Sequence, residues 1–517
     1  MRLLIATVAL AAAATVAAAQ PPAHAAARQS AATLLSEGIA LLKANRAADA
    51  AAKFSEAVRL DPSLSEAHYY VGMSAEQRRD WPAAEQAYAR AVQLRPQMAE
   101  AHDRLGFAQG QMGRTDAAIA EFERATALKP DLFDAQYHLG ATLWWVGQPE
   151  RARGALEAAV ALEPDHAETH YYLGVTLRQL GEIGNALEHL RRAVAIAPRL
   201  AIAQQYLGVA LREIGDYDGA IGALDRALAI DPGLNDAMNE LGLAYMQRGD
   251  ADQAVTTFKA LVARAPDNLT ALHNLGTAYM QEANLSAAVE TFRALTERDP
   301  RNGEAFYNLG TALKQQDDFA AAEQALREAV RLRPELPEAH YTLAVVLWQT
   351  RRSDEAAEAF RAAIARKPDY ADAHYMLGTV LRQRGEEDGA LAEFRKTLEY
   401  QPDSAEAWLS IGQVLQRRGD KIASAEAFAK ASQIRREKAD GQAALFAINA
   451  GMEKLKANDA AAAVLSLREA VRLAPKNPQA HYQLALALER TGAHEEARTH
   501  LEEARRLAPD LVPRDAR

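Results

Sequence analysis

The chain contains no cysteine. Disulfides, thiolate nucleophiles, thiolate metal sites and lipid attachment through cysteine are therefore excluded. Aromatic residues are scarce, at 6% of 517 positions, while alanine is abundant. That balance argues against several large compact cores and for alanine-rich helices packed closely together. Positive charge is not in excess: the formal net charge is -10, so general affinity for nucleic acid is not expected. No glycine-rich phosphate loop follows a strand pattern, and no nucleophile elbow is present. Beyond residue 19 no apolar run is long enough to cross a membrane.

One apolar run does stand at the N-terminus. Met1-Arg2 supplies a short basic start, and Leu3 to Ala19 is uncharged. Ala17-Ala18-Ala19 before Gln20 has the small-residue form of a cleavage site. Residues 1–19 are expected to be a signal peptide, with an alanine-rich leader or a retained anchor as alternatives. After cleavage no membrane span is expected. Pro21-Pro22 predicts a break, so residues 20–30 read as a linker. The implied location is periplasmic or secreted, and the Ala/Arg-rich composition points to a bacterium.

The rest of the chain has a period. Pro62, Pro96, Pro130, Pro164, Pro198, Pro232, Pro266, Pro300, Pro334, Pro368 and Pro402 are each 34 residues apart. A fixed period of this size means a repeat architecture. With the proline at position 32, repeat one starts at Ala31. Position 8 is then Gly in twelve of fourteen repeats, with Ala344 and Ala485 as exceptions. Position 20 is Ala in thirteen, with Ser424 as the exception. Positions 4, 7, 8 and 11 form a stripe on a first helix; positions 20, 24 and 27 form one on a second. Small residues at 8 and 20 imply close approach of the two helices. Glycine near position 15 (Gly113, Gly181, Gly215, Gly385, Gly419) implies the turn between them. The proline stops the second helix. A single pair cannot bury its stripes, so pairs must stack.

This pattern resembles the tetratricopeptide repeat. Repeat seven carries it in Leu241, Gly242, Tyr245, Ala254, Phe258 and Pro266; repeat twelve has Trp408, Ile411, Gly412 and Phe428. The resemblance implies an all-α protein, an α-solenoid wound as a right-handed superhelix of about fourteen hairpins. Residues 31–438 read as twelve repeats, 439–443 as an irregular joint, 444–511 as two further repeats and 512–517 as a tail. Three departures stand out: Glu37 replaces Leu in repeat one, Arg436 replaces the proline of repeat twelve, and repeat thirteen is displaced by five residues. The stretch Arg435 to Gln442 is either a longer helix or a joint.

Positions 2, 5, 9 and 12 point away from the core stripe. In the family this second stripe lines the concave groove. Position 5 is Tyr in seven repeats, among them Tyr137, Tyr171 and Tyr341. These rings either contact a partner or pack against the next repeat. Position 12 carries Trp144, Arg178, Arg212, Lys314, Trp348 and Arg382. Position 2 is acidic in nine repeats, which complements the helix dipole. The candidate partner contacts are Tyr137, Trp144, Tyr171, Arg178, Arg212, Tyr341, Trp348 and Arg382. The Lys and Asn with which chaperone-binding relatives clamp a carboxylate are missing at positions 5 and 9. The Asn ladder of the O-GlcNAc transferase repeats is matched in succession only by Asn274 and Asn308.

Catalysis is not expected, because no segment outside the repeats could house a catalytic domain. Cofactors and metals are not expected either. Six histidines lie at position 4, and His166-Ala-Glu-Thr-His170 lacks the glutamate placement of a zinc-protease helix. The expected role is an exported scaffold that binds a protein or peptide in the groove. Alternatives are an accessory subunit of an envelope assembly, such as polysaccharide or pilus export, and a repeat partner of a glycosyltransferase acting in trans. Self-association through the terminal repeats is a further expectation.

Overall fold

The computed structural model describes residues 21–511. The expected signal segment 1–19 and the tail 512–517 lie outside the described residues. Twenty-seven α-helices and no strand are present among the described residues. The chain divides into two units, one ending at Glu282 and one beginning at Ala283. Each is an all-α solenoid of stacked hairpins, in which consecutive helices pack on one another.

Repeat two shows the unit of construction. Its first helix is Ser65–Gln77 and its second is Trp81–Leu94. Position 15 between them has a left-handed backbone in all fourteen repeats. Eight of these residues are glycine, while Asn45, Arg79, Ala283, Asp317, Arg351 and Asn458 hold the same conformation with a side chain. The turn closes both ways: Gly147 N–H donates to the Trp144 carbonyl at 3.0 Å and Gln148 N–H to that of Leu143 at 2.9 Å. This doubly bonded ending satisfies carbonyls that the helix leaves unpaired.

Position 8 is glycine because position 24 occupies the space a side chain would need. A Cβ on Gly72 would lie 2.6 Å from the Tyr88 ring, and one on Gly140 would lie 2.5 Å from Leu156 Cγ. The alanines at position 20 are fully buried beside this crossing, Ala84 and Ala152 among them. Ser424, the exception, donates its hydroxyl to the Gly412 carbonyl at 3.1 Å, so its extra polar atom is satisfied.

Two expected boundaries are corrected. Residues 21–30 are not a linker, because the first helix begins at Pro21 and runs to Lys43. Prolines in a first turn lack only N–H groups that have no helical partner, so they start a helix as readily as they stop one. Residues 439–443 are not an irregular joint, because one helix of 36 residues runs unbroken from Lys421 to Lys456. Arg436 stands where the proline would stop the helix, so the second helix of repeat twelve becomes the first of repeat thirteen. With no second helix folding back there, Phe446 is 75% exposed, while its counterparts at position 3, such as Ala67 and Ala101, are buried.

The position-4 histidines fasten the loops. The Nε2 atoms of His68, His102, His170, His340, His374 and His481 lie 2.9–3.1 Å from the carbonyl of the proline six residues earlier. A carbonyl only accepts, so each Nε2 carries the proton. The Nδ1 partner then varies. It is Glu121 for His102 and Glu393 for His374, both at 2.6 Å. It is another imidazole for His170 (His189) and His481 (His500), both at 2.9 Å.

Candidate partner-binding face

The first helices of neighbouring repeats touch within each unit, for example Phe133–Trp145 with Ala167–Gln179. Their outward stripe forms the candidate face. Position 5 tyrosines are largely structural. Tyr69, Tyr341 and Tyr375 each sit 5.7 Å from the position-24 ring of their own repeat, namely Tyr88, Phe360 and Phe394. These three rings pack within their own hairpin, whereas Tyr137 and Tyr171 also meet Tyr172 and Tyr206 of the next repeat, at 5.9 and 5.7 Å. Tyr171 is only 6% exposed, packed against the Tyr172 and Tyr206 rings. Burial pushes the Tyr171 and Tyr137 hydroxyls well above the ordinary tyrosine range.

Three position 12 side chains reach forward by 35 residues, to position 13 of the next repeat. Arg178 binds Glu213 at 2.7 Å, Arg212 binds Gln247 at 3.1 Å, and Trp348 Nε1 donates to Gln383 at 3.0 Å. Arg212 also holds Glu240 at 2.9 Å, and Arg382 donates to Gln413. Arg178 lies 5.7 Å over the Tyr206 ring. Arg178 and Arg212 are thus in ion pairs, while Arg382 has an amide partner and no ion pair among the described residues. Lys314 has no ion-pair partner among the described residues, and burial holds its ammonium pKa below the ordinary lysine value. At position 2, Glu66, Glu100 and Glu304 bind the position-31 cations Arg95, Lys129 and Arg333 at 2.8, 2.8 and 3.5 Å. Those acids face the loops, a partnership the helix-dipole argument did not anticipate.

The structure gathers part of the candidate set into one cluster in the first unit. Trp144 meets Tyr172 at 5.4 Å, Tyr171 at 6.4 Å and Trp145 at 6.4 Å, and Tyr137 meets Tyr172 at 5.9 Å. Trp145 is 77% exposed. Next to these rings lies a cavity of 430 Å³, lined also by Phe107, Gly110 and His138. His138 is anchored by the buried Asp103, at 2.8 Å. In the second unit Trp348, Tyr341 and Arg382 stand on neighbouring repeats without a comparable ring cluster; Tyr341 lies 5.0 Å from Tyr370. Trp145, Tyr172 and Gly110 were not among the candidate contacts read from the sequence. The signal for Gly110 was available, because position 12 is glycine in no other repeat. No group of three or more metal-ligating side chains is present among the described residues. His170 is committed to Pro164 and His189, and His166 Nδ1 to Thr169 at 2.8 Å.

Family models agree with this architecture along almost the whole chain. The Cilia and flagella-associated protein 70 C-terminal domain model matches residues 201–445. Tetratricopeptide repeat models match residues 35–99, 142–201 and 448–512, and a TPR repeat model matches 111–147. The chain is a tetratricopeptide-repeat protein. Such repeats generally form non-catalytic interaction scaffolds. The chain is similar to the crystal structure of MamA, with 28% identity over 32% of this chain and 96% of that one, at a TM-score of 0.31. It is similar to YrrB, described as a TPR protein with an unusual peptide-binding site, at 23% identity, 37% and 98% coverage and a TM-score of 0.34. It is also similar to Pseudomonas aeruginosa pilF, at 16% identity, 41% and 96% coverage and a TM-score of 0.37. No curated protein matches the chain.

Proposed function

We propose that the chain is an exported scaffold that holds a protein or peptide on the outward stripe of its first helices. The observation that carries this reading is the ring cluster of repeats four and five, where Trp145 stands 77% exposed beside a 430 Å³ cavity. A soluble array has no structural need for a bare indole beside an open cavity, whereas aromatic anchors are typical of binding surfaces. A preformed helical surface binds with little ordering cost of its own. Arg178, Arg212 and Arg382 are already bonded and serve as girders that fix the stripe; the tryptophans are the contacts.

The test is affinity capture from native extract with the immobilised full chain, beside Trp144→Ala and Trp348→Ala. Loss of the captured partner with helicity intact supports the reading, and unchanged capture by both variants overturns it. Export rests on the apolar run Leu3 to Ala19. Fractionation and N-terminal sequencing should find a mature chain starting at Gln20 outside the cytoplasm; a cytoplasmic chain still starting at Met1 contradicts it. Self-association through the terminal repeats belongs to the same reading. Light scattering should then give a mass above that of one chain, falling to the monomer value on dilution.

A further inference from the structure

The forward bond from position 12 to position 13 of the next repeat that Arg178, Arg212 and Trp348 make has no counterpart between repeats three and four. Position 12 of repeat three is Gly110, and position 13 of repeat four is Trp145 where most repeats have Gln. Gly110 has no side chain to extend. A Cβ placed on it would meet only the Ala118 methyl, at 3.8 Å. The missing side chain leaves the 430 Å³ cavity open, with Trp145 beside it.

We propose that this cavity receives an aromatic side chain from an extended segment of a partner protein. The proposal rests on the reading that the first-helix stripe binds protein. Charge complementarity selects an uncharged guest. No lining residue is an acid, lysine or arginine. Arg114, between the lining residues Gly113 and Thr115, is already neutralised by Glu85 at 2.5 Å. A lysine head placed here would lose water and find no carboxylate in the wall. The wall geometry then selects a ring over an aliphatic chain. Trp144 and Tyr172 meet at 64°, Tyr137 and Tyr172 at 62°, and Trp144 and Trp145 at 57°. A ring inserted among such faces stacks on one wall and meets another edge-on, which are the arrangements aromatic pairs prefer. Gln111, exposed in the cavity lining, is available to the backbone of the same segment.

The test is calorimetric titration of the full chain with capped heptapeptides Gly-Ser-Gly-X-Gly-Ser-Gly, where X is Trp, Leu, Pro or Lys. The Trp peptide should bind at least tenfold more tightly than the other three. Gly110→Met, which fills the cavity, and Trp145→Gln, which restores the common residue, should each abolish that preference. Ile422→Gln, an exposed apolar residue on a second helix and outside the stripe, should leave it intact. The space around Gly110 lets the Met variant fold, and circular dichroism confirms it. Equal binding of all four peptides, preference for Leu, Pro or Lys, or selectivity that survives Gly110→Met overturns the proposal. Its failure is separable from failure of the scaffold reading. Capture that still depends on Trp144 or Trp348 leaves that reading standing without this guest.

Discussion

Repeats four and ten both carry tryptophan at position 12, and they use it in opposite ways. Trp348 donates its Nε1–H to Gln383 at 3.0 Å. Trp144 has Gln179 at the matching place, yet its Nε1 is buried without a hydrogen-bond partner among the described residues. Instead the indole meets Tyr172 nearly edge to face, at 5.4 Å and 64°. The residue at position 6 of the following repeat differs, Tyr172 in one case and Met376 in the other. A ring there draws the indole into a cluster, and without it the indole turns to its amide. The role of a repeat position is therefore set by the neighbouring repeat as much as by its own residue. The framework differs as well: repeat four has Gly140 and Gly147 where repeat ten has Ala344 and Arg351.

The largest effect should come from making repeat four resemble repeat ten at the helix crossing. Gly140→Ala puts a Cβ 2.5 Å from Leu156 Cγ. Overpacking of this kind costs about 1–3 kcal/mol. Chemical denaturation followed by helicity measures it, and a neutral result would remove close approach as the reason for glycine at position 8.

The next effect is pH-dependent and extends the comparison to the hairpins of repeats five and eleven. His170 faces His189, whereas His374 faces Glu393. Burial first, and the neighbouring imidazole second, hold the His189 pKa below its ordinary value; Glu188 and Glu157 act weakly the other way. The unfolded chain then binds the proton more readily. Stability from this site is present above a pH of about 6.5 and is lost as the pH falls through that value. Hydrogen exchange between neutral and acid pH should show repeat five loosening, and His189→Glu should remove the effect by giving His170 a carboxylate. Identical acid response in wild type and variant would contradict this. His500, lowered by burial and by His481, should behave likewise in repeat fourteen.

Smaller changes are expected at the turn and at the indole. Arg351 holds a left-handed backbone at φ 64°. Arg351→Gly should stabilise by up to about 1 kcal/mol, since glycine removes the strain but loosens the unfolded chain. The same measurement on Gly147→Ala should show a loss. Tyr172→Met should free Trp144 to bond Gln179, with a change below about 1 kcal/mol. Its signature is the Trp144 indole N–H resonance moving to a hydrogen-bonded shift, and an unmoved resonance would mean that Tyr172 does not hold the indole.

The framework was legible because its causes are local. A proline that cannot continue a helix, a glycine under a large side chain and an alanine at a crossing each leave the same residue at the same place in every repeat. Legibility failed where another residue can do the same work. Six of the fourteen left-handed turn residues are not glycine, so position 15 showed only part of its pattern. Pro21 looked like a break because a proline reads alike at the start and the end of a helix. Arg436 marked the long helix only by lacking a proline. The candidate face was less legible still, because bonds on it join residues 35 apart on different repeats. Tyr171 reads like Tyr137 in sequence, and only packing shows one to be buried.

The most direct test uses the five tryptophans of the chain as reporters. With ¹⁵N-labelled tryptophan, the indole N–H resonances are followed while the partner recovered from extract is added. Shifts of Trp144 and Trp145 at substoichiometric partner, with Trp408 unmoved, are the predicted result. Saturating binding that leaves Trp144 and Trp145 where they began would contradict the account.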